Sequence, residues 1–294
     1  MPDVAPPLRE YPTMLEHGAH AAGNVGEQVK NMILHHIING WEIEVPSSHW
    51  GSSVELDSHL WHFQLAGIDV NMSISKHVIM MFVAAGLLLL MALLLRRKIA
   101  LVPRGFLSMI EGFVLFIRDE IAVATMGKHH APSYTPFLCT TFFFILTCNL
   151  LGLIPYGSTA TGNISVTAGL AFVAFVAIQF AGMRQMGVFG YFRHLVPPGV
   201  PWWLAPVMIV VEILGIFAKP FALCVRLFAN MTAGHVVILS LIGLIFVMGL
   251  AISPVTVGFG VFMYILEIFV AFLQAYIFTM LTSLFIGLLV AGEH

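Results

Sequence analysis

Arg226 carries a charge it cannot shed, yet it stands in an apolar stretch that runs from Trp202 to Leu250. A guanidinium keeps its proton in any surroundings a protein offers. At the centre of a bilayer such a cation costs about 2.5 to 3.5 kcal/mol even on insertion-based scales. A permanent charge placed where a neutral side chain would cost less points to a function.

Other polar groups share the stretch. Glu212, Lys219 and Arg226 follow one another at intervals of seven. At roughly 100° per residue each such step drifts by only about 20°, so the three file along one helical face. Asn230, one turn beyond the arginine, continues that face. His235 is nine positions past Arg226, on the opposite side of the helix, and so must serve a different neighbour. In the last apolar segment Glu267 and Gln274 are again seven apart, and Glu267 has no base close to it in sequence. A buried imidazole facing a buried carboxylate makes a natural pair.

Each group admits a structural and a functional reading. Glu212 and Lys219 either neutralise each other inside a helical bundle or line a path for ions. Pairing of Glu212 and Glu267 with Lys219 and Arg226 is arithmetically open. His235 and Glu267 are either a satisfied core pair or a proton relay, because an unperturbed imidazole titrates near working pH. Asn230 and Gln274 either hydrogen-bond between helices or line the path.

The elements that must position these residues follow from composition. Of 294 residues 59% are hydrophobic and 10% charged, well outside the range of soluble domains. The expected fold is an all-α integral membrane protein, since helices satisfy every backbone group within themselves. About five transmembrane helices and one cytoplasmic interfacial helix are predicted. Residues 1–76 form an external segment with Arg9, Lys30 and Lys76 against nine acids. Residues 77–98 hold the first transmembrane helix, whose apolar run Val78 to Leu95 ends in Arg96, Arg97 and Lys98. By the positive-inside rule that cluster is cytoplasmic and the amino terminus outside. No cleavable signal peptide is expected.

Residues 99–136 mix apolar positions with Arg104, Glu111, Arg118, Asp119 and Glu120, which suits an amphipathic segment lying along the cytoplasmic interface. Residues 137–294 form a helical core. It opens with spans at Phe137 to Ile154 and Ile164 to Met183, joined by a charge-free turn, and Arg184 and Arg193 return the chain to the cytoplasm. The runs Trp202 to Leu250 and Val255 to Ala291 contain 49 and 37 residues. As single helices they would be about 70 and 55 Å long, too long for one upright crossing. A split at Pro220 would leave Lys219 at a mid-membrane turn, so two long, strongly tilted helices forming a hairpin are preferred, with the carboxyl terminus cytoplasmic.

Several classes of function find no support. There is no basic surface for nucleic acid, no Gly-rich phosphate loop and no nucleophile with a base, so no catalytic site and no cofactor are expected on this chain. Cys139, Cys148 and Cys224 read as small core residues. Among His17, His20, His35, His36, His49, His59 and His62, the spacing of His59 and His62 is compatible with metal ligation, but no Cys accompanies them and no second pair has convincing spacing, so no metal site is expected. Asn24 to Asn39 has the apolar spacing of a surface helix.

The run Arg226-Leu-Phe-Ala-Asn-Met-Thr-Ala-Gly-His235, with Glu212 before it and Glu267-Ile-Phe-Val-Ala-Phe-Leu-Gln-Ala-Tyr-Ile-Phe-Thr279 after it, closely resembles subunit a of F-type rotary ATP synthases. The resemblance covers about residues 137 to 290 at the level of motifs. It implies a stator subunit whose last two helices lie against a c-ring, with two offset half-channels that pass protons, in company with peripheral-stalk b subunits in a bacterial inner membrane. Arg226 matches the family's arginine facing the rotor carboxylates, Glu212 the cytoplasmic-side path, and Asn230 and Gln274 polar positions near the arginine. His235 and Glu267 match the opposite-side path, in an order that looks mitochondrial, since some bacterial members have Glu first and His second. The translocated ion implied is H+. A secondary ion-coupled transporter with a charged midplane site is the alternative, and the internal repeat common in such folds is not evident.

Overall fold

The computed structural model describes residues 76–96, 105–154, 159–194 and 203–290, together with the backbone of four short strands nearer the amino terminus. The expected surface helix at Asn24 to Asn39 lies outside the described residues, as do the external histidines apart from the backbone of His62. The strands are an addition to the all-α expectation. β1 (Glu42–Glu44) pairs antiparallel with β2 (Ser53–Glu55), and β3 (His62–Leu65) with β4 (Ile68–Asn71).

Apart from short turns and connections, everything else described is helical. α1 spans Lys76–Arg96, and Phe82, Leu87, Leu89, Leu90, Leu93 and Leu94 stand exposed around it, as lipid-facing side chains do. α2 (Phe106–Phe116) runs into a π-helical segment, Ile117–Val123. The widened turns bury Ile117, Ile121 and Ala122 while Arg118, Asp119 and Glu120 stay exposed, and Arg118 Nε meets Asp119 Oδ1 at 2.8 Å. α3 (Ala124–Gly152) is broken near its start, where Gly127 has φ 75°. Such a backbone suits glycine, which has no Cβ to clash. The helix carrying the expected span at Phe137 to Ile154 therefore begins at that break and takes in Pro132 and Pro136.

A tightened end, a short 3-10 turn at Ala160–Gly162 and α4 (Ile164–His194) follow. α4 is itself broken at Gly187, with φ 71°. α5 (Ala205–Met248) is one helix of 44 residues that passes through Pro220 unbroken, and α6 (Ser253–Val290) has 38. Between them Gly249 adopts φ 82° and its N–H donates to Ile245 O at 3.0 Å, a left-handed cap that ends α5. Among the described residues five helices are long and apolar enough to cross a membrane: Lys76–Leu95, Phe106–Gly152, Ile164–Tyr191, Pro206–Met248 and Ser253–Val290. The fold is that of an all-α integral membrane protein.

Two compact units make up the chain. One comprises Met1–Val83, Cys148–Asn163 and Asn230–Phe269, the other Ala84–Thr147, Ile164–Ala229 and Val270–His294. In the second unit Ala271, Ala275, Phe278, Thr282 and Ile286 form a buried stripe at helical spacing along α6. Thr279 and Thr282 are fully buried there, yet each hydroxyl donates to the carbonyl four residues back at 2.8 Å. That bond removes the cost of a polar group in an apolar setting. Small residues let backbones approach closely: a Cβ on Gly287 would overlap the Thr125 carbonyl, and the Thr125 and Ser283 hydroxyls meet at 2.6 Å.

Candidate functional site: a buried histidine and acid, and a row of charges on α5

Within the first unit, His235 of α5 and Glu267 of α6 face each other, with Nδ1 2.9 Å from Oε1. Glu267 is only 4% exposed. A carboxylate stripped of water is expensive unless a cation or donor answers it, and neither of its oxygens has an aligned hydrogen-bond donor among the described residues. The close approach is thus electrostatic. Nδ1 lies 3.2 Å from the Met231 carbonyl as well, in hydrogen-bonding geometry. Nε2 stands 3.0 Å from Gly152 O and 3.0 Å from Thr159 Oγ1.

Carbonyls only accept, so a ring bonded to both Met231 and Gly152 carries a hydrogen on each nitrogen. With both hydrogens in place the ring would be positively charged beside the Glu267 side chain, and with one it would be neutral. A ring that has lost one hydrogen leaves a nitrogen that can accept a hydrogen bond from the Thr159 hydroxyl on one side, or a proton from a protonated Glu267 on the other. The contact has the geometry of either a satisfied core pair or a couple through which a proton could be exchanged.

Two glycines make this geometry possible. A Cβ on Gly152 would overlap the Thr159 side chain, and one on Gly234 would lie 2.6 Å from Glu267 Oε1. The network also extends to residues that spacing alone did not bring forward. His77, in the first turn of α1 and 3% exposed, donates from Nδ1 to the Thr159 carbonyl at 2.9 Å. Tyr264 donates to Leu153 O at 2.6 Å, pinning α6 to the end of α3 within this unit. Asn230 is exposed near the start of this unit's part of α5.

The second unit holds the other charges. Glu212, Lys219 and Arg226 occupy one uninterrupted helix at the seven-residue spacing, and all three are partly exposed. Glu212 and Lys219 are not within ion-pair distance of each other, and no carboxylate among the described residues lies within 4.0 Å of Arg226. Among the described residues, the internal neutralisation that sequence left open for these three is thus not made. Lys219 Nζ instead sits 4.9 Å above the centre of the Phe285 ring, a cation–π contact.

Glu212 and Lys219 line a cavity of about 250 Å³ together with Gln179, Tyr191, Pro220 and Phe285. At roughly 30 Å³ per water such a space has room for several, and its polar lining offers them partners. The Tyr191 hydroxyl donates to Gln179 Oε1. Gln179 and Tyr191 belong to α4, far from the charged run in sequence. Gln274 is buried at 2% exposure in the part of α6 that belongs to this unit. Among the described residues no cluster of three or more metal-ligating side chains occurs.

Five long apolar helices, carrying an arginine with no carboxylate in ion-pair reach among the described residues and a buried histidine–acid couple, define a multi-pass membrane protein. Residues 78–287 match the family described as ATP synthase A chain. The chain is 50% identical over 285 residues to ATP synthase subunit a of Anaeromyxobacter dehalogenans (strain 2CP-C), covering 92% of this chain and 74% of the relative. Over 231 residues it is 52% identical to ATP synthase subunit a of Myxococcus xanthus (strain DK1622), covering 76% and 75%. ATP synthase subunit a 2 of Chlorobaculum tepidum is 45% identical over 283 residues, covering 94% and 77%. The chain belongs to the ATP synthase subunit a family.

Proposed function

We propose that this chain is the stator subunit that passes protons to and from carboxylates on a neighbouring ring of c subunits, through two offset half-channels that each reach partway across the membrane. Peripheral-stalk b subunits hold it in the complex. Its amino terminus is external and its carboxyl terminus cytoplasmic, in a bacterial inner membrane. His235 and Glu267 serve the external-side path. Glu212, with Lys219 beside the same cavity, serves the cytoplasmic-side path, and Asn230 and Gln274 are polar positions near the arginine. The chain needs no cofactor of its own, and proton flow through it drives synthesis elsewhere in the assembly.

The observation that carries this reading is the Arg226 guanidinium, without a carboxylate in ion-pair reach among the described residues. Charge that none of the described residues quenches is available to a partner. A rotor carboxylate must be neutral to travel through lipid and must ionise to exchange its proton. A permanent cation favours the ionised form where the two paths adjoin, and repels cations that would cross directly. One elementary charge falling through 100 mV supplies about 2.3 kcal/mol, so several transfers are pooled by rotation.

The test is Arg226→Ala in inverted membrane vesicles, read by ATP-driven quenching of a pH-sensitive dye. Pumping and proton-driven synthesis fall to background while the complex still assembles. Pumping at the unsubstituted rate would overturn the assignment.

A further inference from the structure

Building on that function, we infer that His77 is a positioning residue for the His235–Glu267 couple and acts through Thr159. Its imidazole is 3% exposed although it stands at the very start of α1. Burying so polar a ring is costly without a bond to offset it. The bond it makes is to Thr159 O, at 2.9 Å and across 82 positions of sequence.

A peptide carbonyl has no proton to hand on, so this contact transmits orientation and not a proton. Thr159 needs that support. Its backbone is extended, at φ −67° and ψ 115°, between the end of α3 and the 3-10 turn, where no regular helix fixes it. The carbonyl takes the Gly162 N–H at 3.0 Å and the His77 Nδ1–H at 2.9 Å, which together occupy both of its lone pairs.

The same residue's hydroxyl stands 3.0 Å from His235 Nε2, and its side chain is lodged where a Cβ on Gly152 would have to go. A small shift of the Thr159 backbone therefore separates the hydroxyl from the ring. His77 sets that backbone from outside the pair, on the helix that leads in from the amino-terminal segment.

The experiment measures ATP-driven proton pumping in membranes holding equal amounts of assembled complex. His77→Leu slows pumping by roughly ten- to a hundredfold, the upper figure being the loss from a reacting group displaced by about 1 Å. His77→Asn, whose Nδ2 can stand where Nδ1 stood, recovers most of that loss, whereas His77→Gln places its donor too far along and does not. His77→Leu combined with Thr159→Val is no slower than Thr159→Val alone, because both act at one hydroxyl.

An unslowed His77→Leu, an Asn variant no faster than the Gln variant, or independent multiplication of the two defects would each overturn the inference. If His77→Leu does not assemble, the comparison of Asn with Gln decides alone. Arg226→Ala measured alongside separates the two levels. Pumping that needs Arg226 and ignores His77 defeats only this inference, and pumping that ignores Arg226 defeats the function on which it rests.

Discussion

Glu267 has lost nearly all its water, has no aligned donor among the described residues and has an imidazole nitrogen 2.9 Å from one oxygen. Its charge and that of His235 therefore depend on each other. Glu267→Gln keeps the shape and removes the charge, so proton delivery should slow by about 10²-fold, the scale of losing a positioned acid or base. Passive proton uptake by vesicles stripped of their catalytic sector is the direct measure. The exchange His235→Glu with Glu267→His rebuilds the couple in reverse order and should restore part of the rate. No restoration would mean that the contact itself is not what matters. Gly234 bears on both variants, because a Cβ at that position would press on the carboxylate and any longer occupant of position 267 has the same narrow space.

At the scale of elements, the contact between α6 and the chain around Thr125 is a matter of backbone proximity. Gly287→Leu has nowhere to put its side chain except against the Thr125 carbonyl, so α6 must move away and the Thr125–Ser283 bond must open. Less assembled complex on a native gel, at unchanged synthesis of the chain, is the expected outcome. Much of the helical architecture could be read from residues. The length of α5 follows from an apolar run that scattered polar residues interrupt without ending. Pro220 does not end it, because in hydrocarbon the freed backbone groups have no better partner than the continuing helix. The meeting of His235 with Glu267 was legible for a similar reason, since an acid in an apolar segment requires an answering group. The breaks at Gly127 and Gly187 were less so. Glycine permits φ near 75° and 71° there without demanding it. His77, Thr159, Gln179 and Tyr191 escaped notice because their contacts join distant parts of the sequence, which no local period reveals.

For the whole molecule, family membership and the proposed function lead to a question of company. Solubilised in a mild detergent and isolated through an added tag, the chain should bring with it a ring of small subunits stable enough to survive electrophoresis. Recovery of this chain alone, or only with copies of itself, would favour a self-contained transporter. The 44 residues of α5 bear on the energetics of such an assembly. At 1.5 Å per residue this helix is about 66 Å long, against roughly 30 Å of hydrocarbon. Were it to lie wholly in that layer, it would descend only about 0.7 Å per residue, and positions seven apart would differ in depth by about 5 Å. On such an incline neighbouring polar stations would be separated by about a sixth of the electrical drop, near 0.4 kcal/mol per charge at 100 mV. A steep energetic cliff would then become a staircase of steps smaller than thermal energy.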